Sequence, residues 1–277
     1  MRLGGQVFLE QKNPDTWANA LKAAGFRATT CPISGKEDIT ELDDYLKAAK
    51  QFDILISEVG AWSNPISRDE ETRQQAIAYC IQRLELAERI GAQCCVNIAG
   101  SRGAKWDGPD ADNFSDETFE LIVETTRTII DAVNPERTVF ALEMMPWVFP
   151  DSADSYLSLI KAVDRKGFGV HFDPVNIISS PRMYYQNGDM IRDFFKKLGP
   201  HIRNCHAKDI LLGSHLTVHL DEVIPGQGYL DYRTFLTELN KLPADTTLII
   251  EHLSTNEQYR QASDYIRKTA SELHIPL

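Results

Sequence analysis

The chain has 277 residues, with 29 basic and 40 acidic side chains and a formal net charge of −11. That balance excludes a general polyanion binder, because contact with a phosphate backbone needs a basic footprint. Its 43% hydrophobic and 25% charged content is that of an ordinary globular protein, and a chain of this length buries a core without disulfides or a structural metal. No apolar run of about 18 residues occurs, and no apolar stretch with a small-residue cleavage site follows the N-terminal MRLGGQVFLEQKNPD. A cytoplasmic protein without membrane contact is therefore expected. Cys31, Cys80, Cys94, Cys95 and Cys205 are odd in number and form no CxxC pair, so they read as reduced, small core hydrophobes.

Strand-like and helix-like stretches alternate from end to end. A strand over Leu3–Phe8 is followed by a helix over Pro14–Ala24, then a strand over Phe26–Thr30 and a helix over Asp38–Lys50. Next come a strand over Asp53–Val59 and a helix over Asp69–Ile90, in which Ile77, Cys80, Leu84 and Ala87 recur at three- and four-residue steps. The alternation continues with strands Gln93–Ile98 and Thr138–Met144, each preceding a helix, Ser115–Val133 and Ser152–Val163. Strand Gly169–Asp173, helix Asp189–Leu198, strand Ile202–Ala207, helix Tyr232–Leu242, strand Leu248–His252 and helix Asn256–Glu272 complete it. The strands are short and apolar, as strands buried on both faces are. Eight strands alternating with eight helices predict an α/β fold, a single (β/α)8 TIM barrel over residues 1–277. An open doubly wound sheet is less consistent, since the first strand runs into Gly4-Gly5-Gln6 without a GxGxxG turn. The irregular stretches Ala99–Asn113, Pro174–Gly188 and Ile210–Leu230 all follow strands, which in a barrel places them over the C-terminal face where chemistry is done.

Ionisable residues that interrupt apolar strands near their ends then become informative. Glu143 closes TVFALE, Asp173 closes GVHFD, His206 lies in IRNCHAKD, and Glu251 closes TLIIEH. They stand on four successive strands. Carboxylates converging beside a barrel core repel unless protons or a cation separate them. A divalent metal answers this, and a mixed carboxylate and imidazole shell suits Mn²⁺, Co²⁺, Mg²⁺ or Zn²⁺. Strand parity puts His171 on the face of Asp173, where it either orients a ligand or transfers a proton. Glu58, ending DILISEVGAW, and Asn97, interrupting CCVNI, are candidates for substrate hydroxyls. Lys208 follows the histidine and either holds an oxyanion or pairs with Asp209 or Asp173. Trp62, Trp106 and Trp147 are candidate sugar platforms.

The fragments ALEMMPW, VHFDPVN, NCHAKD, VIPGQGYLDY and LIIEHL, in this order, resemble the xylose-isomerase-like TIM-barrel superfamily. That group holds sugar isomerases and epimerases related to the ketohexose 3-epimerases, and also apurinic endonucleases. The resemblance implies one divalent metal, with manganese first among the candidates, on Glu143, Asp173, His206 and Glu251. It also implies that Glu143 and Glu251 move protons to and from a sugar carbon, a small-molecule carbohydrate substrate, and a homo-oligomer. Two departures bear on substrate. Asn176 stands where the ketose epimerases place a histidine, and His219-Leu220-Asp221-Glu222 stands where they place an arginine before the PG element. Asn176, His219 and Glu222 are therefore candidate substrate contacts, and a phosphorylated substrate is disfavoured. The spare histidines do not supply the multi-metal set of the endonucleases, and with the net charge this disfavours nucleic acid.

These features predict a metal-dependent sugar isomerase or epimerase that works through an enediolate, with Glu143, Glu251 and His171 as its catalytic groups. If the carbon next to the enolate carries a leaving group, the same intermediate expels it. A lyase or hydratase acting on 3-keto-glycosides is accordingly the alternative, and an inactive sugar-binding barrel is the alternative of another class.

Overall fold

The computed structural model describes residues 1–11, 13–33 and 39–277. The barrel strands are β1 (Arg2–Gly4), β2 (Ala28–Thr30), β3 (Leu55–Gly60), β4 (Cys94–Asn97), β5 (Phe140–Glu143), β6 (Phe168–Phe172), β7 (Ile202–Ala207) and β10 (Thr247–Ile250). They form a closed barrel in the order β1-β10-β7-β6-β5-β4-β3-β2, and the ladders described are parallel. This is the TIM-barrel topology that the alternation of elements predicts. Two strands fall outside it: β8 (Asp209–Leu212) and β9 (Leu220–Val223) pair antiparallel as a hairpin.

The chain divides into two compact units, one comprising Met1–Ser57, Asp173–Pro200 and Asn204–Leu277, the other Glu58–Phe172 and His201–Arg203. In the first, β10 runs in register with β7, Ile249 opposite His206. The Thr247 hydroxyl donates to Asn204 Oδ1 at 2.7 Å, so the face carrying Asn204, His206 and Lys208 on one strand meets the face carrying Thr247, Ile249 and Glu251 on the other. Helix α1 (Pro14–Ala23) starts on a capping box between Asn13 and Thr16, with Pro14 in its first turn. Helix α9 (Asn256–Glu272) is capped by Thr255.

In the second unit, β3, β4, β5 and β6 pair in succession. Cys94, Val96, Val139 and Ala141 form a buried cluster on one face of this sheet. Helix α3 (Glu70–Ile90) begins where Asp69 accepts from the Thr72 N–H and ends at Gly91 in the left-handed region, φ 70°. Helix α4 (Asp116–Val133) is capped by Ser115 and stopped by Asn134, also left-handed.

The observed elements differ from the expected ones at their ends. The first strand stops at Gly4 instead of Phe8, and part of the helix expected over Asp38–Lys50 lies outside the described residues; its described span is Ile39–Gln51, α2. Each stretch expected to be irregular carries an element. Ile210–Leu230 holds most of the β8–β9 hairpin, Pro174–Gly188 holds α6 (Pro181–Tyr185) and the start of α7 (Asn187–Leu198), and Ala99–Asn113 holds most of a 3-10 turn, Ala111–Phe114. The remaining helices are α5 (Ala153–Val163) and α8 (Tyr232–Leu239). All five cysteines are free thiols, and Cys31 alone among them is not buried. Among the described residues no helix is long and apolar enough to cross a membrane.

Candidate active site

Within the first unit, three of the four expected ligands converge. His206 Nδ1 lies 2.8 Å from Glu251 Oε1 and 4.0 Å from Asp173 Oδ2. Lys208 Nζ joins them at 2.8 Å from Asp173 Oδ2 and 2.7 Å from Glu251 Oε1. One donor atom from each of Asp173, His206 and Glu251 falls within 4.8 Å of the others. Burial alone would raise the pKa of the Glu251 carboxyl, but His206 and Lys208 hold it well below the usual carboxylate range. Asp173 Oδ1 accepts the N–H groups of Val175 and Asn176, at 2.9 and 3.4 Å. The aspartate therefore turns the chain at the end of β6 as well as facing the cluster. Of the two partners weighed for Lys208, the structure selects Asp173. Asn176 Oδ1 accepts from the same ammonium at 3.4 Å. Glu222 Oε2 stands 3.8 Å from Lys208 Nζ and 3.1 Å from His252 Nδ1.

Asp209 has a different task, which the sequence did not reveal. Its Oδ1 accepts from the N–H groups of Ile210 and Leu230, both at 2.9 Å, and its Oδ2 from those of Gly226 and Gly228, at 2.8 and 3.0 Å. One buried carboxylate thus clamps both ends of the segment that carries the hairpin. Burial raises its pKa while the four N–H bonds act the other way. A side chain on Gly228 would run into the same carboxylate, which explains a glycine there. The Tyr232 hydroxyl donates to the Lys208 carbonyl at 2.7 Å and fixes the chain between His206 and the clamp.

In the second unit, Glu58, Glu143 and His171 are all buried. Glu143 and His171 are direct neighbours in the β5–β6 ladder, and His171 Nε2 lies 3.3 Å from Glu58 Oε2. The Tyr156 hydroxyl stands behind these strand ends. It accepts from the Leu142 N–H at 3.1 Å and faces the carbonyls of Leu142 and Gly169 at 2.7 and 2.9 Å. Trp62 folds back over β3, such that a Cβ on Gly60 would come 2.5 Å from its Nε1. The bare backbone of Gly60 is what lets the 42% exposed indole sit there.

The family model for xylose isomerase-like TIM barrels matches residues 18–269. The chain belongs to this family. No curated protein matches it at the sequence level. Three solved barrels are similar over nearly their whole length. A D-tagatose 3-epimerase-like protein is 16% identical with a TM-score of 0.75, covering 99% of this chain and 98% of its own. A probable 3-DHS dehydratase involved in petrobactin synthesis in Bacillus anthracis is 18% identical with a TM-score of 0.72, covering 99% of both chains. A xylose isomerase-like TIM barrel protein from Mycobacterium smegmatis, solved with magnesium, is 14% identical with a TM-score of 0.69, covering 98% of this chain and 97% of its own. At these identities the likeness establishes the fold shared across the xylose isomerase-like barrels.

The remaining expected contacts divide. Asn97 is turned toward α3: its Oδ1 accepts from the Ser63 N–H at 3.1 Å, and its Nδ2 donates to the Ser63 carbonyl at 3.3 Å and to Cys80 Sγ at 3.4 Å. That amide is committed to the turn that carries Trp62. Trp106 lies on the loop after β4 and is 40% exposed. Trp147 Nε1 is buried without a hydrogen bond among the described residues, while its carbonyl accepts from Asn113 Nδ2 at 3.0 Å. His219 lies in the hairpin and stacks on His215, ring centroids 3.9 Å apart.

Proposed function

We propose that this barrel is a divalent-metal-dependent isomerase or epimerase of a non-phosphorylated sugar or sugar derivative, working through an enediolate. The observation that carries the reading is the convergence of Asp173, His206 and Glu251 with short contacts to a buried lysine. Glu143, which ends β5 in the other unit, is their proposed fourth ligand. Three carboxylates and one imidazole suit a hard or borderline cation, Mn²⁺ foremost, with Co²⁺, Mg²⁺ and Zn²⁺ as alternatives. When bound, the metal would supply Lewis-acid polarisation of the substrate carbonyl.

The chain's own groups do the rest. Glu143 and Glu251 remove and return the proton α to the carbonyl; return to the opposite face epimerises, and return to the neighbouring carbon isomerises. His171, held by Glu58, fixes the Glu143 side of the site and exchanges protons with it. The Lys208 ammonium steadies negative charge developing on the substrate oxygen. Trp62, Trp106 and Trp147 offer apolar faces to the sugar, with Asn176, His219 and Glu222 at its hydroxyls. Asn97 serves this site through the Trp62 turn.

A second reading rests on the same groups. Asn176 beside Lys208, and Glu222 in place of a cation, suit elimination or hydration on a 3-keto-glycoside, since the enolate needs only a leaving group at the adjacent carbon. Deuterium wash-in separates the readings. The protein, reconstituted with Mn²⁺ or Co²⁺, is incubated in D₂O with free ketoses and with 3-keto-glucosides, and the sugars are recovered for mass spectrometry. Deuterium α to the carbonyl in an epimer or isomer supports the first reading, and an eliminated aglycone supports the second. Metal binding with no exchange on any sugar would sink both and leave a sugar-binding barrel.

A further inference from the structure

Lys208 is 2% exposed, and its ammonium lies within 2.8 Å of Asp173 Oδ2 and 2.7 Å of Glu251 Oε1. Both carboxylates are ligands in the reading above, on which this inference rests. Two cations drawing on the same pair of buried carboxylates repel each other strongly, because little water screens them. A buried ammonium that gives up such partners needs another acceptor, and the structure places two within a short movement of the flexible side chain. Asn176 Oδ1 lies 3.4 Å from Lys208 Nζ, and Glu222 Oε2 lies 3.8 Å away. Glu222 stands on β9, 35% exposed, with His252 Nδ1 on its other side at 3.1 Å.

We propose that Lys208 is a resident counter-cation which yields Asp173 and Glu251 to the metal by moving onto Glu222, so that Glu222, itself no ligand, sets the metal affinity of the site. The lysine stays protonated throughout and no covalent bond changes. Removing the lysine takes away a competitor. Removing the charge of Glu222 takes away the place to which the competitor retreats.

Calorimetric titration with MnCl₂ of protein stripped by a chelator tests this in the wild type, Lys208→Met, Glu222→Gln and the double variant. Lys208→Met is expected to bind Mn²⁺ about tenfold more tightly or better. Glu222→Gln is expected to bind it about three- to tenfold more weakly, and to have no effect when Lys208 is already Met. A Lys208→Met protein that binds no tighter, or a Glu222→Gln penalty that persists in the double variant, overturns the proposal. If Lys208→Met does not fold, Glu222→Gln decides alone: an unchanged Mn²⁺ affinity refutes the role of Glu222. A wild type that takes up no Mn²⁺, Co²⁺, Mg²⁺ or Zn²⁺ would instead remove the metal reading itself, and this inference with it.

Discussion

At Glu251 two opposing effects meet. Burial favours the neutral acid, while His206 and Lys208 favour the carboxylate, and the cations prevail. A carboxyl whose pKa is lowered by folding contributes stability above its unfolded value, about pH 4.3, and loses that contribution as the pH falls through the folded value. Glu251→Gln is therefore expected to be less stable than the wild type at neutral pH by about 3 kcal/mol, since it leaves the buried Lys208 ammonium short of a partner. It should also show a shallower acid limb and lose turnover in the deuterium assay. Urea midpoints measured down the acid range check the first two points. His252 is the opposite case. Glu222 raises its pKa despite partial burial, so its contribution is present below about pH 6.5 and is lost as the pH rises through the folded value. Glu222→Gln should flatten this alkaline loss, read as melting temperature against pH through neutrality.

At the scale of elements, the Asp209 clamp has no counterpart in the periodicity of the chain. Replacing Asp209 by Ala leaves four N–H groups without their acceptor and is expected to cost about 2–4 kcal/mol. Faster amide exchange should be concentrated at Gly226, Gly228 and Leu230, while β4 and β5 stay protected. Uniform acceleration across all strands would show that the carboxylate holds more than its loop. Both halves of the clamp, H-x-K-D and the P-G-x-G element, are visible in the sequence, but their pairing is not, because it spans a hairpin with no regular pattern of its own. Its strands are short, and beyond Ile210 all their residues are exposed or half-buried, so they read as loop. Asn97 teaches a different point. As a polar residue interrupting an apolar strand it resembles Glu58, yet Cys94 and Val96 occupy the clustered face. Counting parity from them turns Asn97 toward Cys80. The ends of strands were the least readable part: Gly5 to Phe8 has strand-like composition, but pairing in β1 ends at Gly4.

For the whole molecule, the barrel was legible because each strand is buried on both faces and each helix on one, so the hydrophobic pattern changes period at every junction. The convergence of Asp173, His206 and Glu251 was legible for a related reason: charged residues at the ends of buried strands have few places to go. Tyr156 and Gly60 were not, since a buried hydroxyl and an absent side chain have no signature until the neighbours are known. If the ligands bind Mn²⁺, the folded state gains by mass action, about 2.7 kcal/mol at a hundredfold excess over the dissociation constant. The melting temperature should rise with MnCl₂ and return on adding EDTA, and this response should vanish in Asp173→Ala.

The four N–H bonds to Asp209 also separate two rates of change along the chain. Residues inside the loop between Leu212 and Leu220 are joined to the barrel through a fixed mounting, so lengthening that loop adds only about 0.6 kcal/mol of closure entropy per doubling. The tip can therefore be rewritten, spliced or exchanged while Lys208 and His206 keep their places. In a lineage of such barrels, sequence and length should drift faster at this tip than at Asp209, Gly226 and Gly228, which hold its mounting.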